Sequence, residues 1–150
     1  MMQIVAEAAG EQLVWSEGFA TGVDEVDRQL RQLLVLVDQV RELVAEQQPE
    51  EQQARLGQML DQLNEQATCH FVTEEELLRG TLRDHPGSNT HIRAHRSYWS
   101  TVAGLQRRLR YNDDDVSTEL YAFLRQWWIG HILTADQQMG SALRTLGLAR

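Results

Sequence analysis

Cysteine is nearly absent: Cys69 is the only one in 150 residues. A lone cysteine permits no intramolecular disulfide, so a secreted disulfide scaffold and a zinc ribbon are both excluded. Proline and glycine are also scarce, at 2 and 10 residues, which leaves few natural breakers and favours long helices. No run of eighteen apolar residues occurs, and residues 1–12 have neither the basic start nor the apolar stretch of a signal peptide. The expectation from this is a cytoplasmic chain with no membrane association. Positive charge is in deficit, with a formal net charge of −8, and nucleic-acid readers need a clustered basic face to displace counterions. The dense basic run Arg107-Arg108-Leu109-Arg110 falls near an expected helix end, where cations complement the helix dipole.

What is present is ordinary for a globular protein: 42% apolar and 24% charged residues. A single domain of this length buries about two thirds of its unfolded surface, so it needs no metal merely to fold. Val26, Leu30, Leu33, Leu34, Val37, Val40 and Val44 recur at three- and four-residue spacing, which predicts an amphipathic helix over about 24–46. Gln48-Pro49-Glu50-Glu51 reads as a turn opening a second helix, about 49–80, because proline suits the first helical position. Its inner side carries Leu56, Met59, Leu60, Leu63, Ala67, His70 and Leu77. A loop at Asp84-His85-Pro86-Gly87-Ser88 leads to a third helix, about 89–110. Asn112-Asp113-Asp114-Asp115 stops it and caps a fourth, about 114–146. The economical arrangement is an all-α, antiparallel up-down-up-down four-helix bundle forming one domain over 1–150. The remaining arm, 1–22, contains Leu13, Val14, Trp15 and Phe19 and is expected to pack across the bundle.

Histidines recur on the inward stripes. His70 and Glu74 are spaced i, i+4 and share a face, as do His91 and His95 on the third helix. His131 and Asp136 are five apart, so Asp136 has to reach sideways to join the same face. Each feature alone has a bland reading: a hydrogen-bonded core histidine, a chance His-x-x-x-His pair, a solvated face at Glu75 and Glu76, a small buried hydrophobe at Cys69. Together, four histidines and two carboxylates fall on the inward stripes of three helices, at heights an antiparallel bundle brings level. Burying so many titratable groups unpaired costs several kcal/mol each. A divalent metal removes that cost, and imidazole with carboxylate suits iron, manganese and zinc.

The Glu-x-x-His pairs of the ferritin-like di-iron bundles are missing. The histidine-rich set instead resembles the hemerythrins, the bacterial hemerythrins in particular. The likeness is carried by Trp15-Ser16-Glu17-Gly18-Phe19, Gly22-Val23-Asp24 with Val26-Asp27-Arg28-Gln29, His70-Phe71 with Glu74-Glu75, His91 and His95, and Trp127 with His131-Ile132 and Asp136. It spans roughly residues 13–146. The resemblance implies two irons joined by an oxygen bridge, with O2 taken up at the second. It assigns His91, His95 and His131 to the first iron, Glu74 and Asp136 to bridging and His70 to the second iron. Phe71 becomes part of a dry pocket wall, with Trp127 beside the site.

One position departs from that pattern. Where the family has a histidine after Asp-x-Gln in the first helix, this chain has Leu30, and the spare His85 lies in a loop. On the family's plan the first iron keeps six ligands and the second only four, leaving two open positions instead of one. Three outcomes follow from the gap: a water fills it, the second metal is lost, or a substitute ligand such as Gln66, one turn before His70, steps in. The functions that follow are an oxygen or redox sensor, store or carrier, a peroxidase-like or NO-handling oxidoreductase, or a mononuclear bundle acting through an unidentified protein effector.

Overall fold

The computed structural model describes residues 11–46, 49–111 and 115–149. The first ten residues of the arm, and parts of the turns read at 48–51 and 112–115, lie outside them. Four long helical stretches make up the chain: α1 (Asp24–Ala45), α2 (Pro49–Arg79), α3 (Ser88–Arg110) and α4 (Val116–His131). The last continues through a five-residue π-helical turn, Ile132–Asp136, into α5 (Gln137–Thr145). No strand occurs among the described residues.

α1 packs on α2, α2 on α3, α3 on α4 and α4 back on α1, which closes the four-helix bundle. The stripe of α1 is the reason it docks: Leu30, Leu33, Val37 and Val40 are completely buried. Each such side chain contributes about 1.5–3 kcal/mol on leaving water. On α4 it is Trp128 that is fully buried, while Trp127 is half-exposed at the core margin. No helix among the described residues is long and apolar enough to cross a membrane.

The arm does pack across the bundle, and polar groups fix it. The Leu13 N–H donates to Asp38 Oδ1 at 2.8 Å. Trp15 lies under the Arg31 guanidinium at 5.0 Å, a cation–π contact. A one-turn 3₁₀ helix, Glu17–Phe19, leads to a bend at Gly22, whose φ of 89° suits glycine because it has no Cβ to clash. The bend wraps Asp27, which accepts from the Thr21 N–H and hydroxyl, both at 2.8 Å, and from the Gly22 N–H at 3.2 Å. From the other side Arg144 donates to the Thr21 carbonyl at 2.9 Å. Gly140 allows this close approach: a Cβ there would sit 2.3 Å from the Thr21 oxygen.

Candidate metal centre

Three helical stretches bring six chemically matched side chains into the middle of the bundle. His70 and Glu74 come from successive turns of α2, His91 and His95 from successive turns of α3, and His131 and Asp136 from the end of α4 and the π turn. Glu74, Asp136 and His70 are completely inaccessible, and His95, His91 and His131 nearly so.

The π turn is what makes the last pair work. At 100° per residue, Asp136 would lie about 140° around the axis from His131. A π-helix adds one residue to the turn, as the bond from the Gln137 N–H to the Ile132 carbonyl shows, and brings the fifth residue back over the first. The Asp136 carboxylate therefore sits 3.1 Å from His131 Nε2. The sideways reach expected from the sequence is replaced by a change of helical pitch.

Two overlapping groups result. Glu74, His91, His95 and His131 offer ligand atoms that all lie within 4.8 Å of one another, and so do His70, Glu74 and Asp136. Glu74 Oε1 is 3.1 Å from His70 Nε2, 3.4 Å from His91 Nε2 and 3.3 Å from His95 Nε2. Asp136 Oδ1 lies 3.1 Å from His91 Nε2, and Asp136 Oδ2 lies 3.7 Å from His70 Nε2. His91 Nε2 and His131 Nε2 face each other at 3.1 Å.

Apart from the His91–His131 pair, close approach here lacks hydrogen-bonding geometry. Both oxygens of Glu74, both of Asp136, His70 Nε2 and His95 Nε2 are buried without a hydrogen-bond partner. That is six of the eight such side-chain atoms among the described residues, so the unsatisfied polar groups are concentrated at one place. A buried acceptor left unpaired costs about 1–3 kcal/mol, and six aimed at common points fit one or two cations better than they fit one another.

The imidazoles and carboxylates of the cluster favour one another's charged forms. Burial pushes the His70 imidazolium toward losing its proton, but the Glu74 charge and the Asp136 carboxylate outweigh this and raise its pKa to about 10. His91 follows the same balance, burial against Asp136 and Glu74, and rises to about 9. Burial acts against ionised Glu74, yet charged His70 and contacts from three imidazoles hold it well below the usual carboxylate range. Asp136 is also lowered: His131 and His70 prevail over burial and the neighbouring Glu74 charge. Anionic carboxylates beside protonated imidazoles are a charge pattern that a divalent ion takes over with release of protons.

Partners outside the cluster orient the rings. His70 Nδ1 meets Gln29 Oε1 at 3.1 Å, and Gln29 is in turn held by the Thr73 hydroxyl at 2.9 Å and by Glu25 at 3.1 Å. His95 Nδ1 meets Glu75 Oε2 at 3.0 Å. Each contact turns Nε2 of its ring inward, the arrangement in which an outer partner fixes a ligating imidazole. Phe71 is buried and stacked on His95 with centroids 3.9 Å apart, so the expected pocket wall lies chiefly against the first group. Trp127 stacks on His131 at 4.3 Å.

Three readings from sequence are corrected. Glu75 is not merely part of a solvated face, since only 23% of its side chain is exposed and it reaches across to His95. Cys69 is exposed rather than a small buried hydrophobe, because it precedes His70 by one residue and so turns about 100° off the buried face. The inner residue near the end of α2 is Leu78, with Leu77 only partly buried. Gln29 belongs in sequence only to the Val26–Gln29 motif; its spacing from Val26 and to Leu33 puts it on the buried side of α1, the signal that its amide needs a polar partner. Leu30 is completely buried, Gln66 is half-buried one turn before His70, and His85 is exposed in the loop.

The comparisons agree with this geometry. Residues 21–143 match the hemerythrin HHE cation-binding domain. A bacteriohemerythrin of Stenotrophomonas maltophilia is 32% identical over 126 residues, 83% of this chain and 77% of that protein. Bacteriohemerythrins of Pseudomonas paraeruginosa and Clostridium acetobutylicum are each 25% identical, over 88% and 83% of this chain and 82% and 96% of theirs. With a four-helix bundle, a buried histidine and carboxylate cluster and a domain match over most of its length, the chain belongs to the hemerythrin family.

Proposed function

We propose that this chain is a non-haem di-iron protein that takes up O2 or a related small molecule at an under-ligated second iron, serving as an oxygen or redox sensor, store or carrier. The observation that carries this reading is the concentration of unpaired buried ligand atoms in two groups that share Glu74. Iron at such a site supplies a redox couple and an open coordination position. By the family resemblance, His91, His95 and His131 would hold the first iron, Glu74 and Asp136 would be shared, and His70 would be the one imidazole left for the second. Gln29 and Glu75 keep His70 and His95 turned inward.

Leu30 is completely buried on α1. By the family resemblance it presents hydrocarbon where an imidazole is expected, which would lower the ligand number of the second position and make that side of the site apolar. Neither Leu30 nor Phe71 has a proton to give, which favours binding over peroxide turnover.

The test is iron content per chain together with the visible spectrum of the aerobic protein, for wild type and Leu30→His. The wild type should hold between one and two irons with altered bridge bands, and the variant should approach two with a spectrum like those of its relatives. A protein that retains no iron after anaerobic loading, or a variant with unchanged content and spectrum, overturns the reading.

A further inference from the structure

Every one of the 14 cationic side chains is an arginine; the sequence contains no lysine. Four of them, Arg79, Arg83, Arg93 and Arg96, line a single surface pocket of about 540 Å³ between the end of α2 and the start of α3. Buried Leu78 and Ile92 form its apolar floor. Gathering four arginines at one hollow runs against their mutual repulsion and makes a local positive patch on a chain whose net charge is −8.

Compensation from within the chain is thin. Arg79 meets Glu75 at 3.3 Å, and Arg83 meets Asp84 only at 3.9 Å with both groups largely exposed. Exposed pairs of this kind contribute little. Arg93 and Arg96 form no ion pair among the described residues, and the first turn of α3 contains no acid. The guanidinium fork matches tetrahedral phosphate oxygens through paired N–H donors, and the volume is that of a small-ligand site.

The pocket also has a direct connection inward. Arg79 Nη2 pairs with Glu75 Oε1, and the other oxygen of that carboxylate, Oε2, meets His95 Nδ1 at 3.0 Å. An anion that neutralises Arg79 strengthens Glu75 as an acceptor, and a stronger acceptor makes the His95 imidazole a more basic ligand.

We propose that the Arg79, Arg83, Arg93 and Arg96 pocket binds a small phosphoryl anion, phosphate or a phosphate monoester, and that its occupancy is transmitted through Glu75 to His95. The transmission rests on the metal reading above; the binding does not.

Inorganic phosphate titrated by calorimetry into the metal-free full chain, at fixed ionic strength because salt screens exposed charges, should bind saturably. In the R93A/R96A double variant, which keeps every residue of the metal cluster, binding should weaken about tenfold or more. In the iron-loaded chain the visible bands should shift over the same phosphate range, and the shift should vanish both in R93A/R96A and in Glu75→Gln. Absence of saturable binding, or equal binding by the double variant, overturns the site. An unchanged spectrum at saturation overturns the transmission, as does a shift that persists in R93A/R96A, which marks iron chelation by phosphate. Tighter binding of a hexaglutamate peptide than of phosphate overturns the small-anion assignment in favour of an acidic protein segment. Because the calorimetry uses metal-free protein, the pocket and the metal reading fail separately.

Discussion

The two halves of the buried cluster have the same kind of support and a different number of ligands. Around Glu74 stand His91, His95 and His131, with Glu75 oriented on His95 and Trp127 stacked on His131. On the other side His70 is the one imidazole beside Glu74 and Asp136, yet Gln29 reaches its ring at 3.1 Å, close to the 3.0 Å between the charged Glu75 and His95. The inner nitrogen of His70 is buried and unpaired, as is that of His95. The comparison teaches that the half with fewer histidines keeps its one imidazole turned inward just as the richer half does.

The strongest way to break the comparison is to remove a ligand from the richer half. His95→Ala should cost more metal affinity than the ~10–100-fold typical of an outer-sphere partner, whereas His85→Ala, in the exposed loop, should leave metal content at the wild-type level. Elemental analysis after equal loading reads both, and equal losses would show that the ligand set is misassigned.

Next in size is the attempt to equalise the halves. Leu30→His should lower the stability of the metal-free chain by about 3 kcal/mol, since it removes buried hydrocarbon and adds a polar group. Iron should then stabilise it more than it stabilises wild type, by mass action on the folded state. Thermal unfolding with and without iron decides this; a variant indifferent to iron would mean that Leu30 does not face the second position.

The outer partners sharpen the contrast further. Gln29→Leu and Glu75→Gln should each weaken metal binding by about 10–100-fold, the usual range for such groups. Gln29→Leu should act on the half with His70 and Glu75→Gln on the half with His95. Stepwise metal titration separates them, and a common loss from both steps would contradict independent halves. The smallest effect at the metal should come from Gly140→Ala, whose Cβ would force Thr21 and the arm away. Unfolding should register about 1–3 kcal/mol of overpacking strain, with metal content unchanged.

How much of the site was legible follows from geometry. His70 with Glu74, and His91 with His95, are one helical turn apart, so periodicity alone puts each pair on one face. Asp136 was harder, because five residues do not complete a regular turn and nothing in Ile132-Leu133-Thr134-Ala135 announces a π turn. Glu75 was read as solvated because it adjoins Glu74 and Glu76, and its partner His95 is twenty residues away. The four arginines of the surface pocket likewise come from the end of α2, the turn after it and the start of α3, which only packing sets side by side.

The sequence by itself determined the fold class and the apolar stripes that drive the helices together, Leu30 among them, because each depends on residue type and on intervals within one element. Only the tertiary structure decided the π turn that aligns Asp136 with His131, the links from Gln29 to His70 and from Glu75 to His95, and the gathering of unpaired atoms into two overlapping groups. Those depend on the distance between elements and on local pitch, which are set by how the helices pack and not by the spacing along any one of them.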